Sequence, residues 1–194
     1  SESELGLGKA TAAVTRVISF FGTTCSAENC RYPVRKTQEN RDDRTRPANI
    51  IITCTDNTRS RLELWRFLKK YREASVNNER AVYYWMDFGN AQTTGQVFIG
   101  TVRNKIRQPA SKEFMPVPGM NVITEEVNYS TIEEKDSGPS CSLAEALERQ
   151  DLYINSILAQ VGCDILWKMF KEGRTLYRGA YINLDTLRVN PIPV

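Results

Sequence analysis

Histidine is absent from all 194 residues. That excludes Ser-His-Asp and Cys-His catalysis by this chain alone, and it removes the commonest metal ligand. Cys25, Cys30, Cys54, Cys141 and Cys163 include no Cys-x-x-Cys pair, so no zinc is expected. An odd number of cysteines without a secretory signal reads as a reduced, cytoplasmic protein. No apolar run approaches the roughly 20 residues that span a bilayer, so a membrane is not an expected partner. Charge of one sign is also scarce: the net charge is +3, too small to argue for a nucleic-acid surface. No Gly-x-Gly-x-x-Gly occurs either, which weakens a nicotinamide-binding Rossmann reading.

What is present describes a globular chain. Hydrophobic residues make up 41% and charged residues 25%, enough for one domain with a substantial core. Residue 1 is Ser and a helix is predicted to begin within ten residues, so the chain is expected to start inside a larger protein. Leu7, Ala10, Val14, Val17, Ile18 and Phe21 follow one helical face, closed by Gly22. Residues 23–49 read as a connector, with a short strand at 31–36 and an exposed polar loop at 37–47. Residues 58–72 read as a helix, 81–88 and 95–102 as an antiparallel strand pair. Residues 103–140 have no sustained period and read as a crossover loop over one edge of the sheet. A capping box at Ser142 and Glu145 predicts a long helix over 142–172, with Ile154, Ile157, Leu158, Val161, Ile165, Leu166, Met169 and Phe170 as its buried stripe. Gly173 stops it. A hairpin over 175–190 and a Pro-rich tail follow.

The stretch that organises the chain is residues 50–61, Ile-Ile-Ile-Thr-Cys-Thr-Asp-Asn-Thr-Arg-Ser-Arg. Its β-branched half reads as a central strand buried on both faces. Asp56 sits just past the carboxyl end of that strand, the edge where open α/β sheets bind ligands. A carboxylate there either caps the next helix or holds a metal ion that accompanies phosphates. Lys9, at a helix start where the dipole does not favour a cation, is either a solvated lysine or a phosphate contact. Arg59 and Arg61 either bind phosphate or pair with Asp56 or Glu63. Cys141 precedes the capped helix start, where a thiolate is favoured, or is an ordinary loop cysteine. Asp87-Phe88-Gly89 imitates the kinase magnesium motif, but the catalytic loop that should precede it is missing.

Taken together, these segments resemble a known family. Cys54-Thr55-Asp56-Asn57 with Arg61, Gly95-Gln96 entering the next strand, and Leu5-Gly6-Leu7-Gly8-Lys9-Ala10 resemble the adenylation domain of ThiF, MoeB, HesA and the ubiquitin-activating enzymes. Pro139-Ser140-Cys141-Ser142-Leu143 is similar to the site that carries the thioester cysteine in ubiquitin-activating enzymes. The tracts 85–102 and 140–191 look closest to the ThiF-type proteins of PRTRC systems. The resemblance implies the carboxy-terminal part of a Rossmann-like α/β adenylation domain: a mixed sheet with helices on both faces, a long crossover loop and a C-terminal hairpin. It implies ATP and Mg²⁺ as cofactors. Asp56 would be the metal ligand, and Lys9, Asn57 and Arg61 would join it as cofactor-binding residues. Lys9 and Cys141 would be the catalytic groups. The partner would be a ubiquitin-like or sulfur-carrier protein, whose terminal carboxylate is adenylated and then passed to Cys141 as a thioester; the protein would be a homodimer. The alternative is a ThiF-like scaffold that binds a ubiquitin-like or protease partner without turnover. The family's glycine-rich nucleotide loop would fall before residue 1, so this chain alone is expected to be inactive.

Overall fold

The computed structural model describes residues 6–30, 48–55, 57–72, 82–131 and 150–194. It divides into two units, residues 1–42 and 43–194.

In the first unit, helix α1 spans Lys9–Phe21. Gly8 is its N-cap without a side-chain bond, and Gly22 ends it at φ 64°, with its N–H returned to the Ile18 carbonyl. No residue of α1 is buried; Phe20 is 81% exposed. The predicted helix and its glycine stop are therefore present. The predicted strand at 31–36 lies outside the described residues.

The second unit is built on a five-stranded mixed sheet, in the order β1-β2-β3-β4-β5. The strands are β1 Ile50–Thr53, β2 Tyr84–Asn90, β3 Thr94–Thr101, β4 Tyr177–Asn183 and β5 Arg188–Pro193. β1 runs parallel to β2, and every later neighbour is antiparallel. β2 and β3 form the expected hairpin, in register from Tyr84 opposite Thr101 to Asn90 opposite Gly95. Helix α2 spans Thr58–Leu68 and tightens into a 3₁₀ turn over Lys69–Tyr71. A short helix α3 covers Ile123–Glu126, and helix α4 covers Ile154–Glu172.

Side-chain alternation splits the core between the two faces of the sheet. On one face Trp85 and Phe98 pack with Leu64, Trp65 and Leu68 of α2, and with Val122 and Ile123 at α3. Trp65 and Trp85 stack at 6.1 Å. On the other face Met86, Val97 and Ile99 pack with Ile165 of α4. Gly162 lets α4 approach: a Cβ there would run into the Phe88 ring.

Four expectations are corrected. β1 is not central: among the described residues it is an edge strand, and Ile52 is 51% exposed. A β-branched run reports strand propensity, not the number of neighbours. The long helix is not continuous from 142. Residues 150–153 are non-helical, because the Asp151 carboxylate accepts the Tyr153 N–H at 2.8 Å, a local turn that competes with helix. Residues 142–149 lie outside the described residues. Phe170 is not in the buried stripe; it is 73% exposed at the last turn of α4, where Met169 beside it is the residue turned onto the Met86, Val97, Ile99 and Ile165 cluster. The Pro-rich tail is strand β5, where Pro191 and Pro193 are tolerated because no further described strand needs their missing N–H.

The crossover is only partly irregular. It leaves β3 at Thr101 and returns to it, the Thr101 amide donating to the Met120 carbonyl and its hydroxyl accepting the Met120 N–H. Arg178 of β4 then fixes the segment, donating to the Asn121 carbonyl at 3.3 Å and pairing with Glu126 at 3.1 Å.

Candidate functional site

The turn after β1 is the centre of the site that the sequence singles out. Asp56 itself lies outside the described residues, but both of its covalent neighbours are described. Asn57 is extended (φ −141°) and is the N-cap of α2: its side-chain oxygen accepts the Ser60 N–H at 2.8 Å. The capping role considered for Asp56 therefore belongs to Asn57, the usual chemistry of this position. Asn57, expected at the nucleotide, spends its side-chain oxygen on the helix.

Arg61 is placed differently from the phosphate ligand that the resemblance implies. It is 6% exposed and turned back beneath the turn. Its Nε donates to Asp87 Oδ2 at 2.8 Å, and its Nη2 donates to the Thr55 and Phe88 carbonyls, each at 2.8 Å. Arg59, two residues earlier, pairs with Glu63 at 3.0 Å on the exposed surface, as the sequence allowed.

Asp87 is the residue that sequence reasoning set aside with the kinase-like motif. It is 1% exposed and fully engaged: besides Arg61, the Thr53 hydroxyl donates to its Oδ1 at 2.6 Å. Trp85 Nε1 donates in turn to the Thr53 hydroxyl at 2.8 Å. Burial pushes the Asp87 carboxyl above its ordinary value, and the Arg61 charge and the Thr53 bond pull part of that back. A signal was legible: an Asp interior to an aromatic-rich strand needs a buried cation, and Arg61 was near the end of the neighbouring strand. Nothing in the spacing said which cation.

Tyr129, at the start of a 3₁₀ turn over Tyr129–Thr131, lies with its ring 5.8 Å from the Arg61 guanidinium. Its hydroxyl is buried without a hydrogen-bond partner. Burial and the charge of Asp87 push its pKa up to about 12, against opposing pulls from Arg61 and the nearby Gln96 amide. The Thr55 hydroxyl, beside Asp56 in the chain, is also buried and unpartnered.

Lys9 is exposed at the first position of α1, in the other unit. Cys141 lies outside the described residues. The described chain thus brings Asn57 and Arg61 together at the β1–α2 turn. Cys54 is exposed, one residue past the end of β1 at Thr53; Cys163 is exposed on α4.

Among the described residues no group of three or more carboxylates and thiols is arranged to hold a metal ion. Mg²⁺ commonly takes one or two carboxylates and completes its shell with phosphates and water. Asp56, the carboxylate that the resemblance implies for that role, lies outside the described residues. Among the described residues no helix is long and apolar enough to cross a membrane. No protein-family model matches the chain, and no curated protein matches it.

Proposed function

We propose that the chain is part of an ATP-dependent adenylyltransferase that activates the terminal carboxylate of a ubiquitin-like or sulfur-carrier protein. The observation that carries this reading is the β1–α2 turn. It follows a strand that runs parallel to β2, its helix cap is supplied by Asn57, and its backbone is tied to β2 through Arg61. With Asn57 as the helix cap, Asp56 is the residue that this reading assigns to Mg²⁺. When bound, the metal ion neutralises charge on the ATP phosphates. In this reading Asp56 would hold that ion, and Lys9 keeps the phosphate-contact role that the resemblance implies. Cys141 accepts the acyl group in a second step, its thiol sulfur forming the thioester as AMP leaves. The fold that goes with this reading is a Rossmann-like ThiF-type domain, working as a homodimer in the cytoplasm.

The test is ATP–pyrophosphate exchange by the full-length protein with its carrier partner. Asp56→Ala is expected to abolish exchange, and undiminished exchange removes the metal role. A dithiothreitol-sensitive adduct that persists in Cys141→Ala removes the thioester step.

The second reading is a scaffold that binds its partner without turnover. The internal engagement of Arg61 favours it, since one expected phosphate ligand is committed to Asp87 and to backbone carbonyls. Partner binding without any ATP binding decides for the scaffold.

A further inference from the structure

We propose that Arg61, locked by Asp87, is the positioning residue of the turn at residues 55–57, and that it acts through backbone carbonyls rather than on phosphate. Its consequence for Asp56 rests on the reading above, but the positioning itself does not.

The geometry is that of a clamp. One guanidinium nitrogen, Nη2, donates to a carbonyl of the turn (Thr55) and to a carbonyl of the neighbouring strand (Phe88). A single rigid group thus bridges the last residue before Asp56 to β2. The planar fork sends its Nε to Asp87 at the same time, which fixes the rotation of the guanidinium. Lysine has no such fork. Asp87 is itself held by Thr53, and Thr53 by Trp85, so the clamp is mounted on two strands and not on a loop. Gly89 leaves the space it needs: a Cβ there would stand 3.1 Å from Arg61 Nη2 and would collide with the Gln96 amide.

The energetics argue that the pair is kept for geometry. Burying two charges costs several kcal/mol per ion, and a well-packed apolar pair at the same place is often as stable or more so. A pair retained only for stability has little advantage at a site this dry. A pair retained to hold one carbonyl in place is not replaceable by apolar contact, because only a donor satisfies a carbonyl. Metal and phosphate chemistry tolerates errors of about 0.5 Å in its ligands, which is the accuracy that such a mount provides.

The experiment is ¹⁵N relaxation on the full chain. Wild type is compared with the apolar double variant Arg61→Met/Asp87→Leu and with Arg61→Lys, which keeps the charge and most of the volume. In wild type the order parameters of residues 54, 55 and 57 are expected near about 0.85. In both variants they are expected to fall below about 0.6, while those of α4 and β3 stay near about 0.85. The ¹³C carbonyl resonances of Thr55 and Phe88 should shift together as they lose their common donor. A folded variant of either kind in which the turn stays as rigid as in wild type overturns the proposal. Asp56→Ala separates the two claims. It should leave the order parameters of residues 55 and 57 unchanged while removing any response to Mg²⁺-ATP. Wild type that ignores Mg²⁺-ATP but loses order in Arg61→Lys would sink the functional reading and leave the clamp standing.

Discussion

The two faces of the sheet are made by alternate residues of the same strands, yet they are held by different forces. On the α4 face Met86, Val97 and Ile99 meet Ile165 with apolar contact alone. On the α2 face the same strand carries Trp85, apolar, and then Asp87, buried and ionic, one step closer to the strand end. The α4 face obeys volume and area, about 25 cal/mol per Å² of apolar surface. The α2 face begins by the same rule and switches to geometry where β1 turns into α2. The difference locates the part of the core whose composition is not explained by stability.

The largest effect should come from breaking the ionic side with a single change. Asp87→Ala leaves the Arg61 charge buried and unpaired and should cost about 3–5 kcal/mol of unfolding free energy in urea denaturation. A cost below about 1 kcal/mol would mean that Arg61 reaches water readily and that the two faces differ little. On the apolar face Gly162→Ala should cost about 1–3 kcal/mol, since the added methyl must displace the Phe88 ring. A neutral result would show slack between α4 and the Phe88 ring.

A pH comparison sharpens the contrast further. Asp87 holds its proton more tightly folded than at its ordinary value of 3.8, so the folded state binds more proton than the unfolded one in the window between the two. The proton-linked part of Asp87's contribution is therefore fully present below 3.8 and is lost as pH rises through its folded value, leaving the Arg61 pairing that Asp87→Ala removes. The difference between the wild-type and Asp87→Asn stability curves should fall with rising pH across that window. A difference that rises would mean that the Arg61 attraction outweighs burial. No such slope is expected from Met86→Leu on the other face.

The smallest effect is expected at Arg59. It stands two residues from Arg61 on the same helix, but its pair with Glu63 is exposed. Arg59→Ala should change stability by less than about 1 kcal/mol, and less still at high salt. Two arginines in one helical turn then differ several-fold in effect through burial alone.

Periodicity made much of this fold legible. The apolar face of α1 and its Gly22 stop, the α2 face, the β2–β3 hairpin and the stripe of α4 from Ile154 to Ile165 all lie in local patterns of period 3.6 or 2. The errors arose where a local pattern could not report neighbours. Ile50, Ile51 and Ile52 show a strand but not whether it has one partner or two. Phe170 stands next to Met169 at the margin of the apolar stripe, and only Met169 reaches the core. Pro191 and Pro193 look like a tail until an edge position makes them harmless. At the site, the Arg61–Asp87 pair joins residues 26 apart in sequence, and no periodicity encodes that bond. Asn57, directly before Thr58, has the chemistry of a helix cap, and its bond to Ser60 shows that it fills that place.

The most direct measurement is a titration of Mg²⁺-ATP into the protein, followed by backbone amide resonances. Shifts are expected at residues 53–57 and 87–89, dependent on Mg²⁺ and absent in Asp56→Ala. Mg²⁺-ATP that shifts other regions only, such as the loop at 106–118 beside the end of α4, or that shifts Asp56→Ala as strongly as wild type, would contradict the assignment of the β1–α2 turn as a nucleotide and metal site.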